Sequence, residues 1–135
     1  MGTSNSVGLV SNSSSYKLAA STATAWLDEI AAANRSGKRH CIALSGGRIT
    51  LKFFASVIGQ ARARNTSFAN VHFFTHRVTL GYTTIAAARH VWVLASGNGK
   101  EAALRESLKP DGQTPLARVL RSRNQSEVFT DIRLN

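Results

Sequence analysis

The sequence lacks most of what would stabilise a chain covalently or hold it in a membrane. It has one cysteine, Cys41, so neither a disulfide framework nor a cysteine metal cluster can form within one chain. The apolar neighbours of Cys41 predict a buried, unreactive thiol. No apolar run approaches the ~20 residues that span a bilayer, and the N-terminus lacks the order of a secretory signal. We therefore expect a cytoplasmic protein with no membrane partner.

Acidic residues are absent from a long central segment. All seven carboxylates lie outside residues 30–100, whereas ten of the 17 Lys and Arg residues lie inside them. The formal net charge of +10 therefore arises in this segment. Such a charge favours an anionic partner, either a phosphorylated small molecule or a nucleic acid, and a solvated basic surface without a ligand is the alternative. A paired-carboxylate mechanism cannot be built from these residues.

Aromatic residues are also scarce, at 7% of the chain, and most occupy positions predicted to face the core. Few are left to stack on bases, which counts against a nucleic-acid-binding module. That alternative stays open because of the charge and of five arginines, and it predicts only nonspecific binding at low salt. These arginines are Arg62, Arg64, Arg118, Arg121 and Arg123.

Strands and helices are predicted to alternate along the chain. Its 135 residues, 43% of them hydrophobic, predict a single domain over residues 16–135 after a Ser- and Asn-rich disordered leader at residues 1–15. Ser14 or Ser15 is expected to cap the first helix. The predicted strands lie at residues 40–44, 71–75, 90–95 and 127–134. Because such apolar strands suit a parallel sheet covered by helices, the predicted class is α/β, a three-layer sandwich with a mostly parallel sheet.

Two predicted strands run directly into glycine turns. Ser45-Gly46-Gly47 is followed by Arg48, and Ser96-Gly97-Asn98-Gly99 is followed by Lys100. Ligands of parallel sheets collect at the carboxyl ends of strands, where helix N-termini present free N–H groups. Each turn is therefore a candidate phosphate cradle, with a purely structural turn as the alternative. Neither is a Walker loop or a dinucleotide fingerprint, so we expect no nucleotide cofactor.

The order of these segments resembles the 6-phosphogluconolactonase and glucosamine-6-phosphate isomerase/deaminase family. Residues 42–48, with Phe53-Phe54 downstream, are similar to the family's first strand and phosphate loop. Further similar segments are residues 71–74, 77–80, 86–91, 96–102, 115–117 and 128–131. The resemblance extends from about Leu18 to Leu134.

The resemblance implies a phosphorylated sugar as partner. The residues that it implies hold the phosphate are Ser45, Gly46, Gly47, Arg77 and Lys100, with Arg48 beside the first turn. The family's D-E-R segment and its G-x-G-x-D-G-H segment, which supplies the catalytic acid/base groups, have no counterpart. The fold is therefore expected to be shortened relative to the family, without its central catalytic block.

The resulting hypothesis is a sugar-phosphate-binding domain that needs no cofactor and performs no turnover. His76 is the one candidate general base, and the pair His72 and His76 lacks a third ligand for a metal. The complete protein would be an active sugar phosphate hydrolase or isomerase if it contains a central block that this sequence omits. A second copy of the chain is a further partner to consider, because missing strands expose sheet edges.

Overall fold

Short strands and helices alternate along the chain, as the apolar periodicity predicts. The computed structural model describes residues 6–44, 46–74 and 80–135. In chain order the elements are β1 (Ser6–Ser11), α1 (Ser15–Arg35), β2 (His40–Ala43), α2 (Arg48–Arg64), β3 (Val71–Phe74), α3 (Tyr82–Ala87), β4 (Trp92–Ala95), α4 (Glu101–Leu108), α5 (Pro115–Arg121) and β5 (Gln125–Thr130). Among the described residues, no helix is long and apolar enough to cross a membrane.

The chain divides into two compact units, Ala19–Val78 and Met1–Leu18 with Thr79–Asn135. Each contains parallel strands: β2 pairs with β3 in the first, and β5 pairs with both β1 and β4 in the second. The predicted α/β class with parallel strands is therefore confirmed. The single domain over residues 16–135 and the three-layer arrangement stay predictions.

Trp26 of α1 organises the core of the Ala19–Val78 unit. Its ring is 2% exposed and lies 5.6 Å from the Phe53 ring and 5.9 Å from the Phe73 ring, measured between centroids. The indole Nε1 donates a hydrogen bond to His40 Nε2 at 2.9 Å. His40, at the start of β2, is thus held as a partner of the core tryptophan, a structural role for this histidine.

The prediction of a buried Cys41 thiol is wrong, because Cys41 is exposed. Side chains alternate along β2, so that His40 and Ile42 are half-buried while Cys41 and Ala43 are exposed. The parallel register places Cys41 beside His72, which is also exposed. An apolar run does not reveal whether a strand is covered on one face or on two.

The second unit is built around β5, the middle strand of the order β1-β5-β4. Val128 of β5 packs with Leu104 of α4 and with Ile132 in the core. Residues 6–11, predicted as part of a disordered leader, instead form β1, whose six residues pair in parallel with β5. The leader prediction is wrong for these residues because long-range pairing decides their conformation, and composition does not report such pairing.

Side chains of this unit cap the starts of two helices, α1 and α5. The backbone N–H of Lys17 donates to Ser14 Oγ at 3.2 Å, which confirms the predicted cap of α1. Thr114 Oγ1 accepts from the N–H of Ala117 at 3.0 Å and lies 2.6 Å from Ser107 Oγ. This hydroxyl pair joins the start of α5 to the buried side of α4.

Candidate phosphate-binding turns

The first turn follows β2 and leads into α2. Gly47 is the N-cap of α2 with extended backbone (φ 162°, ψ 161°), and among the described residues no side chain caps this helix. A Cβ built on Gly46 or Gly47 meets nothing within 4 Å, so both glycines border open space. The first turn of α2 carries Arg48 and no acidic residue. This helix N-terminus presents a partial positive charge suited to an anion.

The second turn follows β4 and leads into α4. Gly97 and Gly99 have φ values of 95° and 81°, in the region that favours glycine. Ser96 Oγ donates to Asp131 Oδ2 at 2.8 Å, and the Gly97 N–H donates to Asp131 Oδ1 at 3.2 Å. Lys100 Nζ donates to the Ser96 carbonyl at 2.7 Å. These three hydrogen bonds define a braced turn of residues 96–100.

Among the groups joined by these three hydrogen bonds, the Lys100 ammonium is the donor that can still bind an anion. The Gly97 N–H is already bonded to a carboxylate, whereas an ammonium has three donors and Lys100 uses one on Ser96. Lys100 is exposed, so its remaining donors face solvent. The Gly97 N–H is therefore already engaged within the protein, and the expectation that glycine N–H groups cradle the phosphate stays a prediction for both turns.

Sequence reasoning gave Asp131 no role at the second turn. The residue follows β5, and the register pairs its neighbour Thr130 with Ala95, which precedes the turn. Two strands that lie side by side thus deliver Asp131 and Ser96 to the same edge of the sheet. The only available signal was strand order, and that is a tertiary property.

A pocket of about 290 Å³ lies at this edge, at the carboxyl ends of β1, β5 and β4. Its lining includes Ser13, Ser14, Gly97, Asn98, Asp131 and Arg133. A hollow of about 340 Å³ in the other unit lies at the C-terminal end of α2, with Arg62 as its charged residue. Of these two pockets, only the one of about 290 Å³ lies at strand ends, where ligands of parallel sheets bind. It is therefore the better candidate site.

Three predicted site residues, Ser45, His76 and Arg77, lie outside the described residues. Gly46, Gly47 and Arg48 belong to the Ala19–Val78 unit, and Lys100 belongs to the other. Their assignment to one phosphate stays a prediction. Within residues 6–44, 46–74 and 80–135, no group of three or more His, Cys, Asp or Glu side chains is placed to hold a metal.

Most arginines that favoured a nucleic acid are occupied within the protein. Arg123 is 8% exposed, and its guanidinium donates to the carbonyls of Gln125, Ile85, Ala86, Ala88 and Arg89, all within 3.4 Å. Further contacts are those of Arg64 with Asp28 at 2.7 Å, Arg121 with the Gly112 carbonyl, and Arg118 over the Tyr82 ring at 4.7 Å. Arg123 acts as a buried brace that satisfies the carbonyls at the end of α3.

The structure defines an α/β protein in which glycine turns follow parallel strands. Residues 74–129 match the sequence model of the family described as glucosamine-6-phosphate isomerases/6-phosphogluconolactonase. This match confirms the inferred resemblance over that range, which contains β4, the second turn, α4 and α5, and excludes the first turn. Comparisons with curated proteins and with solved structures give no significant match.

Proposed function

We propose that the chain binds phosphorylated sugars and holds the phosphate at a glycine turn, with the help of the basic residue beside it. The observation that carries this proposal is the family match over residues 74–129, which include Arg77 and Lys100. Both residues correspond, by resemblance, to phosphate ligands of that family. The ligands proposed in the first turn are Ser45, Gly46, Gly47 and Arg48.

The geometry of the second turn supports the proposal. The Lys100 ammonium is anchored to the Ser96 carbonyl at 2.7 Å and has donors left for a ligand. The adjoining pocket offers the hydroxyls of Ser13 and Ser14, the Glu101 carboxylate and the Arg133 guanidinium, which can hydrogen-bond the hydroxyls of a sugar. The N-terminus of α2, with Gly46 and Gly47 bordering open space, provides an independent anion-binding feature.

Calorimetry with matched ligands tests this function. Glucosamine 6-phosphate and 6-phosphogluconate should bind, while glucosamine and gluconate should bind at least about tenfold more weakly. A hydrogen bond to a charged group contributes ~1.5–3 kcal/mol, so Lys100→Ala should weaken binding roughly 10- to 100-fold. Lys38→Ala removes the same charge from an exposed position and should change the affinity little. Equal affinities for a sugar and its phosphate would refute the proposal.

A nucleic-acid-binding function has weaker support. Arg64, Arg118, Arg121 and Arg123 are engaged in intramolecular contacts, and Arg123 is buried. The remaining basic charge predicts nonspecific binding to RNA or DNA that disappears near ~0.15 M salt. Filter binding across salt concentrations measures this. Tight, sequence-dependent binding at that salt concentration would favour the nucleic-acid function instead.

A further inference from the structure

The Asp131 carboxylate is an anion, yet it is hydrogen-bonded to the turn of residues 96–100, which is proposed to bind another anion. One oxygen accepts from the Ser96 hydroxyl at 2.8 Å and the other from the Gly97 N–H at 3.2 Å. Because Thr130 of β5 pairs with Ala95 of β4, sheet register brings Asp131 to this turn. The contact therefore has a fixed origin in the fold, with one strand supplying the acceptor and its neighbour supplying the donors.

Ser96 connects this carboxylate to Lys100. Its side chain donates to Asp131, and its backbone carbonyl accepts from Lys100 Nζ at 2.7 Å. The intervening Gly97 and Gly99 have positive φ values, which only a few residue types adopt without strain. The position of the Ser96 carbonyl, and with it the direction of the Lys100 side chain, thus depends on how the turn is held.

We propose that Asp131 is a positioning residue of the phosphate site, which braces Ser96 and Gly97 so that the Ser96 carbonyl orients the Lys100 ammonium. This inference rests on the proposed function, since Lys100 is the group that contacts the phosphate. Asp131 itself does not touch the ligand, because a carboxylate and a phosphate repel each other. Its effect on binding is transmitted through Ser96.

If Asp131 is neutralised, the loss of its charge and the loss of its hydrogen bonds to the turn should change the phosphate affinity in opposite directions. If the carboxylate acted only through its field, Asp131→Asn would remove a repulsive charge and would tighten phosphate binding. If it acts by holding the turn, Asp131→Asn loses at least one of two acceptor contacts, frees the Ser96 carbonyl to move and weakens binding. The direction of the change therefore separates the two effects.

Calorimetry with glucosamine 6-phosphate provides the first measurement. Asp131→Asn should weaken binding roughly 5- to 30-fold, less than Lys100→Ala, because Asp131 acts on the phosphate contact only through the turn. Asp111→Asn is the matched control, since Asp111 is exposed on the loop after α4 and undergoes the same chemical change. In a Lys100→Ala background, Asp131→Asn should have little further effect, because its target is gone. Unchanged or tighter binding by Asp131→Asn, or full additivity with Lys100→Ala, would overturn the inference.

The Gly97 amide provides a readout that needs no ligand. Loss of its carboxylate acceptor should shift the Gly97 amide proton upfield and speed its hydrogen exchange in Asp131→Asn, with little change in Asp111→Asn. Ser96→Ala, which leaves the backbone carbonyl in place, should weaken binding in the same direction and serves if Asp131→Asn folds poorly. Weaker binding with an unperturbed Gly97 amide would contradict transmission through the turn.

The proposed function and this inference can fail separately. If the wild-type chain binds no sugar phosphate, the proposed function fails. If the wild-type chain binds but substitution of Asp131 leaves the affinity unchanged, only this inference is contradicted.

Discussion

The two glycine turns have similar sequences but are supported in different ways. The turn before α2 has an extended Gly47, open space around both glycines and no side-chain cap among the described residues. The turn before α4 has two glycines with positive φ and is hydrogen-bonded to Asp131. Only the second lies within the residues that match the family. The same strand–glycine–helix pattern thus produces an open helix N-terminus in one unit and a braced turn in the other.

This difference assigns different chemistry to the two turns. The open turn can offer backbone N–H groups, which bind an anion through many weak contacts. In the braced turn the Gly97 N–H is occupied, and the ammonium of Lys100, which the Ser96 carbonyl anchors, is a charged donor with hydrogens left for a ligand. A glycine turn at a strand end is therefore not by itself evidence of a backbone cradle. The hydrogen bonds of its amides have to be known.

The largest expected effect concerns turnover. Measurable turnover would contradict the proposal that both turns serve binding alone. We expect no hydrolysis of 6-phosphogluconolactone above the spontaneous rate and no conversion of glucosamine 6-phosphate. The reason is the missing acid/base segment, since general acid–base catalysis typically contributes ~10²–10⁴-fold. Spectrophotometric assays of the purified 135-residue chain and of His76→Ala check this. Acceleration that His76→Ala abolishes would make His76 catalytic.

The next effect compares the basic residues of the two turns. Lys100→Ala should weaken sugar phosphate binding roughly 10- to 100-fold, because the anchored ammonium loses little freedom on binding. Arg48→Ala should weaken binding no more than about fivefold, as is typical of an exposed charge that no ion pair fixes among the residues the structure describes. Calorimetry of both variants under one set of salt conditions decides the order. Larger weakening by Arg48→Ala would make the open turn the main phosphate contact.

Glycine substitutions sharpen the comparison at the level of stability. Gly97→Ala forces a Cβ into backbone with φ 95° and should destabilise its unit by ~1–3 kcal/mol. Gly46→Ala meets no neighbouring atom and requires no positive φ, so it should change stability by less than ~0.5 kcal/mol. Urea unfolding measures both, with Trp92→Phe and Trp26→Phe backgrounds to report on the two units separately. Equal destabilisation would mean that the turns are strained alike.

Local patterns in the sequence predicted much of the fold. Strands β2, β3 and β4 begin or end within about two residues of their expected positions, and Ser14 caps α1 as predicted. Apolar periodicity and capping residues are local signals, which is why they can be recognised without a structure. The two glycine turns were found for the same reason, since each directly follows an apolar strand.

Features that depend on distant residues could not be predicted. Strand β1 forms because β5 pairs with it, and nothing in the sequence Ser6–Ser11 specifies that partner. The brace between Asp131 and Ser96 joins residues 35 positions apart and requires the strand order to be known. Cys41 is exposed because of the coverage of a sheet face, which an apolar run does not encode. In each case the missing information was which segments lie side by side.

The smallest expected effect concerns the loop that joins α4, the helix after the braced turn, to α5. A hydrogen bond from Lys109 at 2.8 Å, and then one from the Gln113 N–H, lower the pKa of Glu106 below its ordinary value. A carboxyl whose folded pKa is lowered contributes stability above its unfolded pKa, and this contribution is lost as pH falls through the folded pKa. Wild-type protein should therefore lose slightly more stability than Glu106→Gln between neutral and acidic pH. Because both side chains are exposed, solvent screening keeps the difference small.

Urea unfolding at several pH values measures this difference in stability. Lys109→Met should reduce the acid sensitivity in the same way, whereas Lys17→Met, the same change at an exposed position of α1, should not. An acid response of Glu106→Gln equal to that of the wild type would show that this pair does not support the loop.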